Sequence, residues 1–278
     1  MVPKGAARFS DLSYGTLGLA LVAVGWTLVN RSYGALVLPS LADTGAALLR
    51  IVLSSDALAA VTATVGHAFG GVAIGAAAGL ILGLIGGVVR PVGAALAPVA
   101  TAILAVPPIV WVVLAFLWFG TTGTGILFTV AISSMPILFA ATLQGVRSRN
   151  RHLAEMATVF RLPLSTRLLR ILLPDLAVML SPALATAFAI SWKVALTSEV
   201  LGDGSGIGGR FAVARAHLDL PEAMAWIILV VGVVLSSDAL LLGPLRRWLS
   251  RSRTAMPSRL IDQPPKCASV NAVTDRAC

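Results

Sequence analysis

From residue 58 to residue 89 the chain carries no Asp, Glu, Lys or Arg, and this one stretch constrains the fold more than any other feature. As a helix rising about 1.5 Å per residue it measures about 48 Å, more than the ~30 Å hydrocarbon core of a bilayer, so it spans a membrane with tilt or protrudes from it. A second charge-free run extends from 91 to 146. Only 12% of the residues are charged and 57% are hydrophobic, against roughly 25% charged in a soluble domain. Charge is concentrated between the apolar runs, as expected of spans joined by short polar loops.

Six spans are expected: 12–29, 58–89, 92–119, 126–146, 174–201 and 223–245. The fold class is therefore all-α, a polytopic membrane helix bundle, with a membrane domain over 1–250 and a polar, disordered cytoplasmic tail over 251–278. The first span follows Lys4 and Arg8 and lacks a small-x-small cleavage site, which suggests an uncleaved signal anchor. An amphipathic segment, 41–53, lies between the first two spans.

The net charge of +9 sorts by side. If the first span starts from the cytoplasm, Lys4, Arg8, Arg90, Arg147, Arg149, Arg151, Arg161, Arg167, Arg170 and the basic residues from Arg246 to Arg276 fall inside. Only Arg31, Arg50, Arg210 and Arg215 fall outside. This asymmetry follows the positive-inside rule and places both termini in the cytoplasm. No basic run is interleaved with aromatics, so nucleic acid is not an expected partner. Cys267 and Cys278 have no neighbouring histidines, and His67, His152 and His217 have no second ligand at i+3 or i+4; no metal site is expected. No nucleophile stands with a base, so no catalytic residue and no enzymatic activity is expected.

Gly71, Gly75, Gly79, Gly83 and Gly87 recur every four residues. On a helix they form one stripe without side chains, which lets a second helix approach to backbone contact. The stripe reads equally as static packing or as a sliding interface. Pro107-Pro108 interrupts the third span, either as a kink or as a break that exposes backbone to a translocation path. Lys193, Glu199 and Asp238 fall within apolar runs, where charges pair or face a cavity. Lys193 either pairs with Asp238 or lines the path; Pro107, Pro108, Lys193 and Glu199 are the path candidates.

The longest polar interval within the membrane region, 147–173, follows the fourth span. Leu153, Met156, Ala157 and Phe160 share one helical face there, and Pro163 ends that helix. Such a short amphipathic helix either lies on the lipid surface or buries its apolar side in a partner's groove. Glu155-Met156-Ala157, then Arg161, then Ile171-Leu172-Leu173-Pro174 resembles the E-A-A-x3-G-x9-I-x-L-P loop of permease subunits of ATP-binding-cassette importers. Glu155, Ala157, Ile171, Leu173 and Pro174 match; Met156 stands for alanine and Arg161 for glycine. Val106-Pro107-Pro108-Ile109-Val110-Trp111 with Leu117-Trp118-Phe119-Gly120 resembles the I-P-P-x-x-W…L-W-F-G segment of the nitrate, sulfonate and taurine importer permeases. Leu38-Pro39-Ser40 and Glu199-Val200-Leu201-Gly202 with Gly206-Ile207-Gly208 resemble further segments of that group.

The resemblance implies that the 147–173 loop docks on a separate ATPase subunit and couples its closure to the membrane helices by alternating access. It implies a second permease, expected to be another copy, and an extracytoplasmic solute-binding protein. The chain has no G-x-x-x-x-G-K-[ST] loop, so no cofactor is expected here and ATP would bind the partner. The expected cargo is a small anionic solute of the nitrate, sulfonate or taurine kind. The alternative is a secondary transporter or channel with Lys193, Glu199 and Asp238 as its ion path.

Overall fold

A computed structural model describes residues 4–35, 37–148, 173–202 and 205–242, and all regular structure among them is helical. In chain order the helices are α1 (Lys4–Tyr33), α2 (Leu41–Leu53), α3 (Ser55–Val88), α4 (Arg90–Ala105), α5 (Pro108–Phe119), α6 (Gly123–Arg147), α7 (Leu173–Leu201), α8 (Gly206–Ala216) and α9 (Leu220–Ser237), which runs into a π-helical turn, Asp238–Leu242. Four of them, α3, α6, α7 and α9, are each long and apolar enough to cross a membrane, and α4 with α5 forms a fifth, bent candidate. The first expected span lies within α1, one continuous helix of 30 residues.

Local chemistry sets the boundaries. Ser40 caps α2 by accepting from the Asp43 backbone N–H at 3.0 Å. The buried residues of α2 are Thr44, Ala47 and Ile51, one stripe at helical spacing, with Arg50 and Leu53 outside it. Ser54 ends α2 and caps α3. Asp219 caps α9, accepting from Glu222 N–H at 3.0 Å. Trp26 Nε1–H donates to Pro39 O at 2.8 Å and Asn30 Nδ2 to Leu38 O at 2.6 Å, so two side chains of α1 hold the turn that leads into α2.

The glycines of α3 set the architecture. A Cβ on Gly71 would strike Val130, one on Gly75 would strike Ser134, and one on Gly79 would lie 2.5 Å from Met135 O. At Gly83 it would meet Thr142 Cβ at 2.5 Å, and at Gly87 Val146 Cβ at 2.5 Å. Each step of four along α3 is matched by a step of about four in the same direction along α6, so the two helices run parallel and nearly in contact at the backbone. Ser134 and Thr142, which face this seam, return their hydroxyls to the Val130 and Leu138 carbonyls at 2.9 and 2.7 Å and leave no orphaned polar group.

That parallel register decides the path between them. α4 and α5 meet at Val106-Pro107 with a bend of 96°. If the pair were a re-entrant loop, α6 would set out from the side where α3 ends and run antiparallel to it. Because α6 runs parallel to α3, the α4–α5 pair carries the chain back across. Legs of 16 and 12 residues at this bend still reach about 30 Å end to end. The third span is therefore a broken one, and Pro107 and Pro108 mark the break, where Pro107 has no N–H to continue α4 and Pro108 opens α5. α7 then runs antiparallel to α6: Leu176 meets Gly145 near one end, while Trp192 and Ala195 cluster with Ile126 and Val130 near the other.

Candidate functional site

Three features of this bundle bear on function. The first lies where α3, α7 and α8 converge. Glu199, near the end of α7, is only 1% exposed. Its Oε2 accepts from Thr64 Oγ1 at 2.8 Å and from the Gly208 N–H at 3.0 Å, and its Oε1 lies 2.8 Å from His67 Nδ1. Thr64 Oγ1 in turn accepts from the Ile207 N–H at 2.8 Å. A buried carboxylate without partners would be prohibitive; here three donors and the first turn of α8 satisfy it. Gly206 has φ +77 and faces the Glu199 carboxyl so closely that a Cβ would overlap it. Only glycine both adopts that backbone and leaves room for the carboxylate. Glu199, expected along a path, is thus enclosed by protein and ties three helices together.

Nothing in the sequence singles out Thr64, and His67 stood out there only as a histidine without a second metal ligand. They sit one helical turn apart on the α3 face that also buries Ala60, Ala68 and Gly71; that placement is the only signal, and it does not name the distant partner.

The second feature is the outward face of α7. Pro182, Thr186, Ala189, Lys193, Thr197 and Leu201 are exposed at successive steps of three or four, a single stripe. Two ion pairs form among the described residues, His67–Glu199 and an exposed Arg210–Asp56 pair at 3.4 Å. Neither includes Lys193 or Asp238, so the expected alternative of a Lys193–Asp238 bridge is not formed. Asp238 instead stands where α9 gives way to its π-helical turn. Beside the stripe, Trp192 is buried edge-on against Phe69 and Phe188, with ring centroids 6.3 and 6.2 Å away, which fixes the rotation of α7 and hence the direction of Lys193.

The third is a charged depression of about 180 Å³ lined by Arg50, Asp56, Arg210, Glu222 and Trp226. It joins α2, α3, α8 and α9 at the end of the bundle that holds Glu199. The helix-packing glycines Gly71, Gly75, Gly79, Gly83 and Gly87 lie along α6 as described above. Glu155, Met156, Ala157, Phe160, Arg161 and Ile171 lie outside the described residues, as does the tail; Leu173 and Pro174 open α7.

Comparison with known proteins places these features in context. Residues 75–254 match the family described as binding-protein-dependent transport system inner membrane component. A probable ABC transporter permease of Brucella abortus (strain 2308) is 24% identical over 249 residues, 88% of this chain and 99% of the relative. The putative aliphatic sulfonates transport permease of Bacillus subtilis (strain 168) is 24% identical over 242 residues, 86% of this chain and 87% of the relative. The bicarbonate transport system permease of Synechococcus elongatus is 27% identical over 181 residues, 65% of this chain and 64% of the relative.

Proposed function

The chain belongs to the family of binding-protein-dependent transport system inner membrane components, and from that premise we propose how it works and what it carries. It is a permease subunit of an ATP-binding-cassette importer, a multi-pass inner-membrane protein and not itself an enzyme. Two copies assemble side by side, both termini in the cytoplasm, with ATPase subunits below and a solute-binding protein above. The binding protein seats on the end where Arg50, Asp56, Arg210 and Glu222 line the depression.

The observation that carries the mechanism is the spaced motif from Glu155 to Pro174, whose last two residues, Leu173 and Pro174, open α7. Residues 147–173 form the contact with the ATPase: Met156, Ala157 and Phe160 enter its groove and Glu155 fixes orientation through a basic group. Because Pro174 lies in the first turn of α7, movement of this loop is passed directly to that helix. The α3–α6 seam, where the side chains of Val130, Ser134, Thr142 and Val146 sit directly against the glycines of α3, moves as one body. The cargo is a small oxyanion, supported by the sulfonate and bicarbonate in the names of the relatives.

A single cysteine at Ser148, exposed at the end of α6, tests this arrangement. With Cys267 and Cys278 changed to serine, Ser148→Cys is expected to react with impermeant thiol reagents only from the cytoplasmic side, and more slowly once the ATPase is bound. Reaction from outside intact cells would overturn the topology and the coupling role together.

A further inference from the structure

The exposed stripe of α7 differs from the exposed faces of α5 and α9. α9 presents Ile227, Ile228, Val231 and Leu235, and α5 presents Ile109, Val113 and Leu117, faces suited to lipid tails. α7 presents Thr186, Ala189, Lys193 and Thr197. Within its apolar span Met179–Leu201, Lys193 lies about 21 Å from one end and about 12 Å from the other. Helical side chains lean toward the helix N-terminus, so its stem leads back toward the middle of the span rather than to the nearer surface at Leu201. An ammonium at that depth facing lipid is costly, and no carboxylate among the described residues offsets it. The threonines beside it are uncharged and do not neutralise it; Thr186 and Thr197 donate their hydroxyls to the Pro182 and Lys193 carbonyls of their own helix at 2.9 and 2.8 Å. A cation that is exposed, that no described residue pairs and that lies away from the membrane surface calls for water in front of it.

We propose that the stripe of Thr186, Ala189, Lys193 and Thr197 lines the water-filled translocation path, and that Lys193 is the residue that selects a small oxyanion within it. The inference rests on the importer reading above and adds the residue that sets charge selectivity. In a two-fold assembly the two Lys193 side chains face the same path and the solute passes between them. The lysine lowers the barrier for a negative charge in a low-dielectric channel and raises it for a positive one. Ala189, one turn away on the side toward which the lysine stem leans, carries only a methyl group and leaves space beside the ammonium for the body of the anion. Trp192 and Phe188, packed behind the stripe, keep the ammonium aimed outward.

The local potential can be read without knowing the solute. In the full complex in membrane vesicles of both orientations, with Cys267 and Cys278 changed to serine, Thr197→Cys is modified by two water-soluble methanethiosulfonates, one bearing a sulfonate and one a trimethylammonium group. Thr197 is one turn from Lys193, about 6 Å between Cβ atoms. The ratio of the two rates cancels any change in thiol reactivity and reports the field. With Lys193 present the anionic reagent is favoured; Lys193→Met lowers that ratio at least tenfold, and Lys193→Arg retains it. Val231→Cys, on the apolar face of α9, stays unreactive to both. If Thr197→Cys is as unreactive as Val231→Cys in both orientations, the face is sealed or in lipid and the proposal fails; it also fails if Lys193→Met leaves the ratio unchanged. Uptake separates the two levels. A chain that keeps the lysine-dependent ratio but shows no ATP-driven import loses the importer reading alone, whereas one that imports anions without the ratio loses only Lys193.

Discussion

Replacing Glu199 should destabilise the protein more than replacing any exposed charge, by an amount the geometry allows one to work out. The carboxylate serves three donors, Thr64 Oγ1, His67 Nδ1 and the Gly208 N–H, at 2.8, 2.8 and 3.0 Å, and is 1% exposed. Glu199→Ala leaves all three facing a void that water enters poorly. Removing one partner of such a buried network costs about 3–5 kcal/mol. Glu199→Gln keeps the shape and leaves an oxygen for Thr64 and Gly208, but sets an amide against His67; the loss is about 1–2 kcal/mol. At about 2–4 °C per kcal/mol for a chain of this size, the alanine variant should melt on the order of 10 °C lower and the glutamine variant a few degrees lower. Thermal unfolding of the detergent-solubilised complex, followed by fluorescence-detected size exclusion, measures both. An alanine variant that melts with the wild type would show that the cluster does not hold α8 to α3 and α7.

Gly79→Val should lower stability by about 1–3 kcal/mol or prevent assembly, since its Cβ would sit 2.5 Å from the Met135 carbonyl, a backbone atom that cannot step aside. Gly66→Ala on the same helix, with nothing within 4 Å, should be neutral or stabilising by up to about 1 kcal/mol; equal effects at the two positions would refute the seam. Glu155→Ala should leave the complex assembled while reducing solute-stimulated ATP hydrolysis at least tenfold, and unchanged stimulation would remove Glu155 from coupling. Arg161→Gly, which restores the usual residue of the motif, should match or slightly exceed the wild type in the same assay.

What could be read from the sequence was whatever depends on local chemistry. α2 occupies the amphipathic stretch 41–53 because Ser40 and Ser54 bound it, and α3 closes at Val88 beside Arg90-Pro91. The Pro107-Pro108 interruption was visible as a break, but not its consequence. Deciding between a kink and a bent crossing needed the shared direction of α3 and α6, which five glycines imply only when their partners are known. Glu199 was legible as a costly charge and Gly206-Ile207-Gly208 as part of a motif, but their meeting with Thr64 was not, because Thr64 and Glu199 are separated by 135 residues. A histidine in a glycine-rich apolar helix carries no mark of what it meets. Lys193 was legible as a costly charge; the absence of a bridge to Asp238 came only from the positions of α7 and α9.

The claim that most needs testing is that this chain moves solute only under the power of a separate ATPase. Proteoliposomes containing the chain, its ATPase and its solute-binding protein should accumulate a radiolabelled small oxyanion, sulfonate or bicarbonate, only when ATP is supplied on the ATPase side. Omitting either partner should abolish accumulation. Uptake by the chain alone, driven by an ion gradient and indifferent to ATP, would contradict the account.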